Sequence, residues 1–213
     1  MQTALVQASQ VASMAAQLKT DGALVVMPST DEAMARQAMQ LAASRADAPG
    51  LLLVVMDTER MGLVKVHNLV FKHSQSPWYG YLAQDAFAGR QWLSQAHAAL
   101  DKTNGSLLGF NDGKWQGQIA AFGLAKRAWV NGLYEGDFFF FAGYQSHYAD
   151  VELTLIARDQ GQYAYDPHAV VMEVDWDKDS AGVNLADKSL FKARAQNGFA
   201  GRVKSEQLLG LFA

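Results

Sequence analysis

The sequence has no cysteine among its 213 residues. That excludes a disulfide framework and a thiolate zinc site, and leaves carboxylates, imidazoles, carbonyls and water as metal ligands, a set that suits hard cations. Proline is scarce at four residues, and 50% of the chain is apolar against 18% charged, so disorder is excluded for most of its length. Neither sign of charge dominates. Eighteen basic and 21 acidic residues give a net charge of −3, too little for a chain-wide positive field that would hold nucleic acid. Long hydrophobic runs are absent as well. The opening MQTALVQASQVASMAAQL carries no positive charge ahead of its apolar residues and is interrupted by small and polar ones. Neither a signal peptide nor a spanning helix is expected, which makes a cytoplasmic location the default expectation.

The length suits one domain. Leu5, Val11, Ala12, Met14, Ala15 and Leu18 recur at roughly helical spacing, which predicts an N-terminal helix within residues 1–20. The run Ala23 to Pro28 predicts a strand, Ser29-Thr30-Asp31-Glu32 a helix start, and Leu51 to Met56 a second strand ending at Asp57. This β-α-β order implies a parallel pair with a right-handed crossover. A helix over 63–73 leads to a third strand at Trp78 to Ala83, ending on Asp85. Helix is expected over 90–102, a glycine-bearing loop over 109–117, strand over 119–124, a short helix over 126–133, helix over 150–158 and a last strand over 163–174. The core domain is thus expected at 21–175, with a C-terminal extension at 176–213 packed on it.

In an open parallel sheet, ligands bind outside the carboxyl ends of the strands. Ser29 to Asp31, Asp57 to Arg60 and Asp85 are therefore expected on one rim. A single strand-terminal acid is usually a turn or cap residue, whereas three from separate strands can serve one crevice.

The order of these segments resembles the nucleotide-sugar-dependent glycosyltransferases of the GT-A fold, family 2-like enzymes in particular. The resemblance rests on Val25-Val26-Met27-Pro28, on Asp57, and on Gly62 with Asn68. It continues through Tyr81-Leu82-Ala83-Gln84-Asp85, Gly123-Leu124-Ala125-Lys126-Arg127 and Asp150-Val151-Glu152-Leu153. It implies a Rossmann-like α/β domain with a mostly parallel sheet and flanking helices. It also implies a nucleotide-diphosphate sugar as donor, a divalent metal (manganese or magnesium), and a hydroxyl acceptor that could be a glycan, a protein or a modified nucleobase. The oligomeric state is left open.

Carried over position by position, the resemblance puts Pro28, Ser29, Thr30 and Asp57 against the nucleotide and Arg127 as a cation for its phosphates, with a solvated position as the alternative; Lys65, one helical turn before Asn68, could also reach a phosphate or face solvent. Asp85 matches the last acid of the family's metal motif, although Gln84 stands where a further acid is often found. Glu173 takes the place of a second metal ligand near the end of the last strand, and a carboxylate there suits magnesium or manganese. His168, five residues before it, falls on the opposite face of a strand. Asp150 matches the general base at a helix start, where the helix dipole favours ionisation, with a plain helix cap as the alternative. Ala149 replaces the family's preceding acid. Trp115, Trp129, Tyr144, Tyr148 and His147 flank the acceptor side.

The expected activity is transfer of one sugar per event, with inversion if Asp150 is the base. Two alternatives stand beside it. One is a GT-A-like binding or assembly module with impaired turnover, suggested by Gln84 and Ala149. The other is a nucleotidyltransferase, against which the loop Met27 to Asp31 lacks a glycine-rich, basic phosphate cradle.

Overall fold

The computed structural model describes residues 1–174 and 182–212. Leu24 to Met27 and Leu51 to Val55 contain no polar residue, as strands buried on both faces require. With β1 (Gln2–Gln7) ahead of them, they form β2 (Ala23–Ser29) and β3 (Gly50–Met56), which pair in parallel from Ala23 opposite Gly50 to Ser29 opposite Met56. The crossover is α1 (Glu32–Arg45), capped by Asp31, whose carboxylate accepts the Met34 N–H at 3.0 Å. α2 (Leu63–His73) and β4 (Trp78–Tyr81) repeat the unit, and β4 joins the other side of β2 in parallel.

The second half comprises β5 (Ala86–Ala88), α3 (Trp92–Thr103), β6 (Leu107–Asn111), β7 (Gly123–Lys126), α4 (Arg127–Val130), α5 (Ala149–Asp159) and β8 (Tyr163–Glu173). α6 (Leu185–Ala195), α7 (Gly198–Gly201) and α8 (Glu206–Leu209) follow. The eight strands lie in the order β1-β3-β2-β4-β7-β6-β8-β5, with β7 and β5 running against the rest. Alternation along β2 and β3 feeds two cores. Val25, Met27, Leu52 and Val54 pack towards α1 and α3, while Leu24, Val26, Leu53 and Val55 pack towards α2, α5 and α6. Each such side chain contributes roughly 1.5–3 kcal/mol on burial. The result is one α/β domain with a mostly parallel sheet and helices on both faces, as the sequence predicts.

Three local expectations are corrected. Residues 3–19 do not form a helix: β1 pairs with β3 from Gln2 opposite Leu51 to Gln7 opposite Met56, and short 3-10 turns follow at Ala8–Gln10 and Ala12–Met14. Pairing with a distant strand outweighs the modest helix preference of an Ala- and Gln-rich segment. The glycine-bearing loop at 109–117 opens inside β6, and the strand expected at 119–124 begins instead at Gly123. The charged stretch 175–181 of the expected tail lies outside the described residues. No helix among the described residues is long and apolar enough to cross a membrane.

Candidate functional site

The ends of β2, β3 and β4 meet on one rim. The Asp57 N–H donates to Ser29 O at 2.7 Å and the Leu82 N–H to Val26 O at 3.0 Å, so the residues after each strand lie side by side. Gln84 joins them. Its Oε1 accepts from the Ser29 hydroxyl at 2.7 Å, the Thr30 N–H at 2.8 Å and the Asp31 N–H at 3.0 Å. Three donors on one atom fix the orientation of the amide and leave Nε2, a donor, for a ligand. In the sequence Gln84 reads as a lost acid, yet its oxygen organises the loop much as a carboxylate oxygen would.

Asp57 is buried, and its two carboxylate oxygens accept the Met61 and Gly62 N–H groups at 2.8 and 2.9 Å. It thereby shapes the loop entering α2. Gly62 is required there: φ is +97°, and a Cβ would stand 2.9 Å from Gln145 O. Pro28, half-buried, and Thr30, exposed, flank Ser29 on the same rim. Lys65 is exposed on the first turn of α2.

Arg127 is not brought to the rim. Because β7 runs antiparallel to β4, Lys126 pairs with Trp78 at the far end of the sheet. There the Arg127 guanidinium donates to Phe71 O, Ser76 O and the Ser74 hydroxyl, and lies 4.0 Å over the Phe71 ring. It closes the carboxyl end of α2.

Beyond the rim opens a cavity of about 580 Å³, walled by Leu82 and Ala83 after β4, Trp115 and Phe122 before β7, Ser146 to Val151 at the start of α5, and Glu173 at the end of β8. Lys188 of α6 and Phe212 also line it. Asp150 therefore sits in the cavity with Glu173. Burial pushes its carboxyl up to about 6; backbone N–H groups of Val151 and Asp150 itself pull against this, and the Glu173 and Asp112 charges push the same way. A carboxylate with its pKa close to neutrality suits a general base. Tyr148, just before α5, holds φ at +67°, a left-handed conformation unusual for a bulky residue and a mark of local strain beside the cavity.

Asp85 lies in the turn between β4 and β5, outside the cavity wall, where its C=O accepts the Val174 N–H at 3.2 Å. One step along this ladder Ala86 pairs with Glu173, so the two expected metal ligands come from neighbouring backbone. His168 is exposed.

Sequence reasoning missed three contributors. α6 is held against the loop before α5 by Asp187, which accepts the N–H groups of Gln145, Ser146 and His147 at 2.9, 2.9 and 2.8 Å. It is held to α5 itself by Arg194, which donates two bonds of 2.7 Å to the fully buried Glu152. His67, in the wall of the cavity, is the third. How α6 docks cannot be read from its own sequence, because the acids that hold it find their partners about forty residues away.

No protein-family profile and no curated protein matches this sequence. Solved structures do. A TarS fragment of S. aureus in complex with UDP-GlcNAc aligns over 90% of this chain and 71% of its own, with TM-score 0.61 and 13% identity. The mannosyltransferase PcManGT of Pyrobaculum calidifontis, in complex with GDP-Man and Mn2+, aligns over 88% and 67%, with TM-score 0.58 and 15% identity. Glucosyl-3-phosphoglycerate synthase of Mycobacterium tuberculosis, with Mg2+ and UDP, aligns over 96% and 88%, with TM-score 0.58 and 11% identity. The chain has the GT-A fold that these structures share.

Proposed function

We infer that this chain is a glycosyltransferase that moves a sugar from a nucleotide-diphosphate donor to a hydroxyl acceptor. The observation that carries the reading is Asp150: a carboxylate poised near neutrality, at a helix start, in a cavity next to the strand-end rim of a GT-A fold. The rim of Ser29, Thr30, Asp57 and Gln84 would face the nucleotide, and the cavity would take the sugar. Asp150 removes the acceptor's proton as the acceptor oxygen attacks the anomeric carbon, and the bond from that carbon to the diphosphate breaks. In-line displacement of this kind inverts the anomeric configuration. Lys188, on the cavity wall, would offer positive charge to the departing diphosphate.

A divalent cation fits the donor set only as a partner of the substrate. Among the described residues no group of three or more His, Asp or Glu could hold a metal alone. Asp85 and Glu173 together could supply two hard oxygens, leaving phosphates and water to complete the shell of magnesium or manganese. Such an ion would neutralise charge on the leaving diphosphate.

The test is release of nucleoside diphosphate from a panel of UDP- and GDP-sugars, with magnesium or manganese and glycan or simple alcohol acceptors. Release that depends on acceptor supports the reading. Thermal stabilisation by the same compounds without release would instead favour a binding module, for which the missing acid at Gln84 gives a reason.

A further inference from the structure

The acceptor must bring its hydroxyl to Asp150, so it enters the cavity of about 580 Å³ that holds this residue. Among the described residues, little in the wall could meet the many hydroxyls of a glycan. Asp150, Glu173 and Lys188 take the proton, the metal and the diphosphate in the proposed reaction. Of the other polar side chains there, Ser146 Oγ and His147 Nδ1 pair with each other at 2.9 Å, the Tyr81 hydroxyl donates to Ala120 O at 2.6 Å, and His67 is fully buried. Trp115 and Tyr148 are left, each carrying a single polar group on a large apolar ring. A buried hydroxyl without a partner costs free energy, so an acceptor with several is poorly served here.

The rest of the described wall is apolar, with Leu63, Ile119, Phe122, Val183 and Phe212 among its members. Trp115 and Phe212 meet edge to face, their ring centroids 6.4 Å apart. The apolar wall also reaches the surface. Val183 lines the cavity and is 46% exposed, and Leu185, 76% exposed, lies three residues before Lys188 on α6, hence on the helix face that Lys188 turns to the cavity. Single exposed apolar residues are normal, whereas two beside one opening mark a place that an apolar ligand covers. We propose that the acceptor is an aryl hydroxyl, a small phenol-type compound whose aromatic body rests against Trp115 and Phe212 while its oxygen faces Asp150. The proposal rests on the glycosyltransferase reading and names the acceptor class for the same site. Aromatic rings attract one another beyond the area they bury, which favours an aromatic body over an aliphatic one. A phenol, with a pKa of about 10, also yields its proton to a carboxylate more readily than a sugar hydroxyl does. In the transfer the phenol proton passes to Asp150, the phenolic oxygen bonds to the anomeric carbon, and the nucleoside diphosphate departs with the electron pair of the broken C–O bond.

The test offers 2-naphthol, glucose and maltose as acceptors with UDP-N-acetylglucosamine or GDP-mannose and magnesium, and reads the product by mass spectrometry and the rate by release of nucleoside diphosphate. The expected result is an aryl glycoside, formed with a kcat/KM about tenfold or more above that for either sugar. Trp115→Ala should raise the KM for 2-naphthol about tenfold and change kcat little, as the loss of a surface that only grips the acceptor requires. Leu185→Glu, at an exposed position where folding is not at stake, should raise that KM as well. An unchanged KM in both variants would place the acceptor elsewhere and overturn the proposal. If a donor binds by calorimetry and yields no aryl glycoside, or yields more product with glucose or maltose, the aryl acceptor is wrong and the glycosyltransferase reading stands. If neither nucleotide sugar binds, the glycosyltransferase reading falls and the aryl acceptor falls with it.

Discussion

Asp150 is held in a place that opposes its charge. A carboxyl raised from 3.8 to about 6 binds its proton more tightly in the folded chain than in the unfolded one. Between those two values the native state carries the extra proton, so stability falls as pH rises from about 4 through 6, and the penalty is complete above that. It amounts to at most about 3 kcal/mol. Asp150→Asn is therefore expected to raise the melting temperature at pH 7 and to leave it nearly unchanged at pH 4, as calorimetry at the two values will show. An equal shift at both would mean that charge is not the cause. The wild-type rate, by the same ionisation, is expected to rise with pH on a limb centred near 6. Gln84 works in the opposite sense: a neutral amide satisfies three donors without adding negative charge beside Asp85.

At the scale of elements, the C-terminal helix α6 completes the site. Asp187 gathers three N–H groups of the loop that carries His147 and Tyr148, and Arg194 pairs with Glu152 one helical face away from Asp150. The Tyr144 hydroxyl adds a bond of 2.9 Å to Glu152, and the Arg194 guanidinium lies 3.3 Å over the Phe141 ring. Glu152→Gln would leave Arg194 without its charge partner in a mostly buried setting, a loss of about 3–5 kcal/mol. Urea unfolding is expected to show that loss, whereas a change below about 1 kcal/mol would mean that α6 docks by apolar contact alone.

The elements also show what a sequence can and cannot disclose. Strands β2 and β3 were legible because a run such as Leu51 to Met56 has no polar residue and stops at an acid. α5 was legible from its acidic first turn. β1 was not, since its partner lies some fifty residues on and its own residues suit a helix about as well. β6 was hidden by Gly109 and Asn111, which read as turn residues. Arg127 was placed near the phosphates because strand direction is not written in a sequence, and β7 carries it to the far end. His67 gave no signal, because the rings that bury it, Tyr79, Tyr81, Phe139 and Phe140, come from other segments of the chain.

For the molecule as a whole, one sheet supplies both halves of the site. Parallel β2, β3 and β4 bring their polar ends to the rim, and the reversal at β7 lets β8 and α5 return Glu173 and Asp150 to the cavity beside it. From the order of its strands the sequence predicted the rim of Ser29 and Asp57, whereas the places of Asp150 and Glu173 were expected only from the family resemblance and the rest of the cavity wall comes from loops and from α6. In the proposed reaction Asp150 is the group that takes the acceptor's proton. The most direct measurement of that role is the rate of sugar transfer by Asp150→Asn at saturating donor, alongside its affinity for nucleoside diphosphate. The expected result is a rate lower by about 100-fold or more with affinity unchanged, whereas transfer at the wild-type rate would contradict the account.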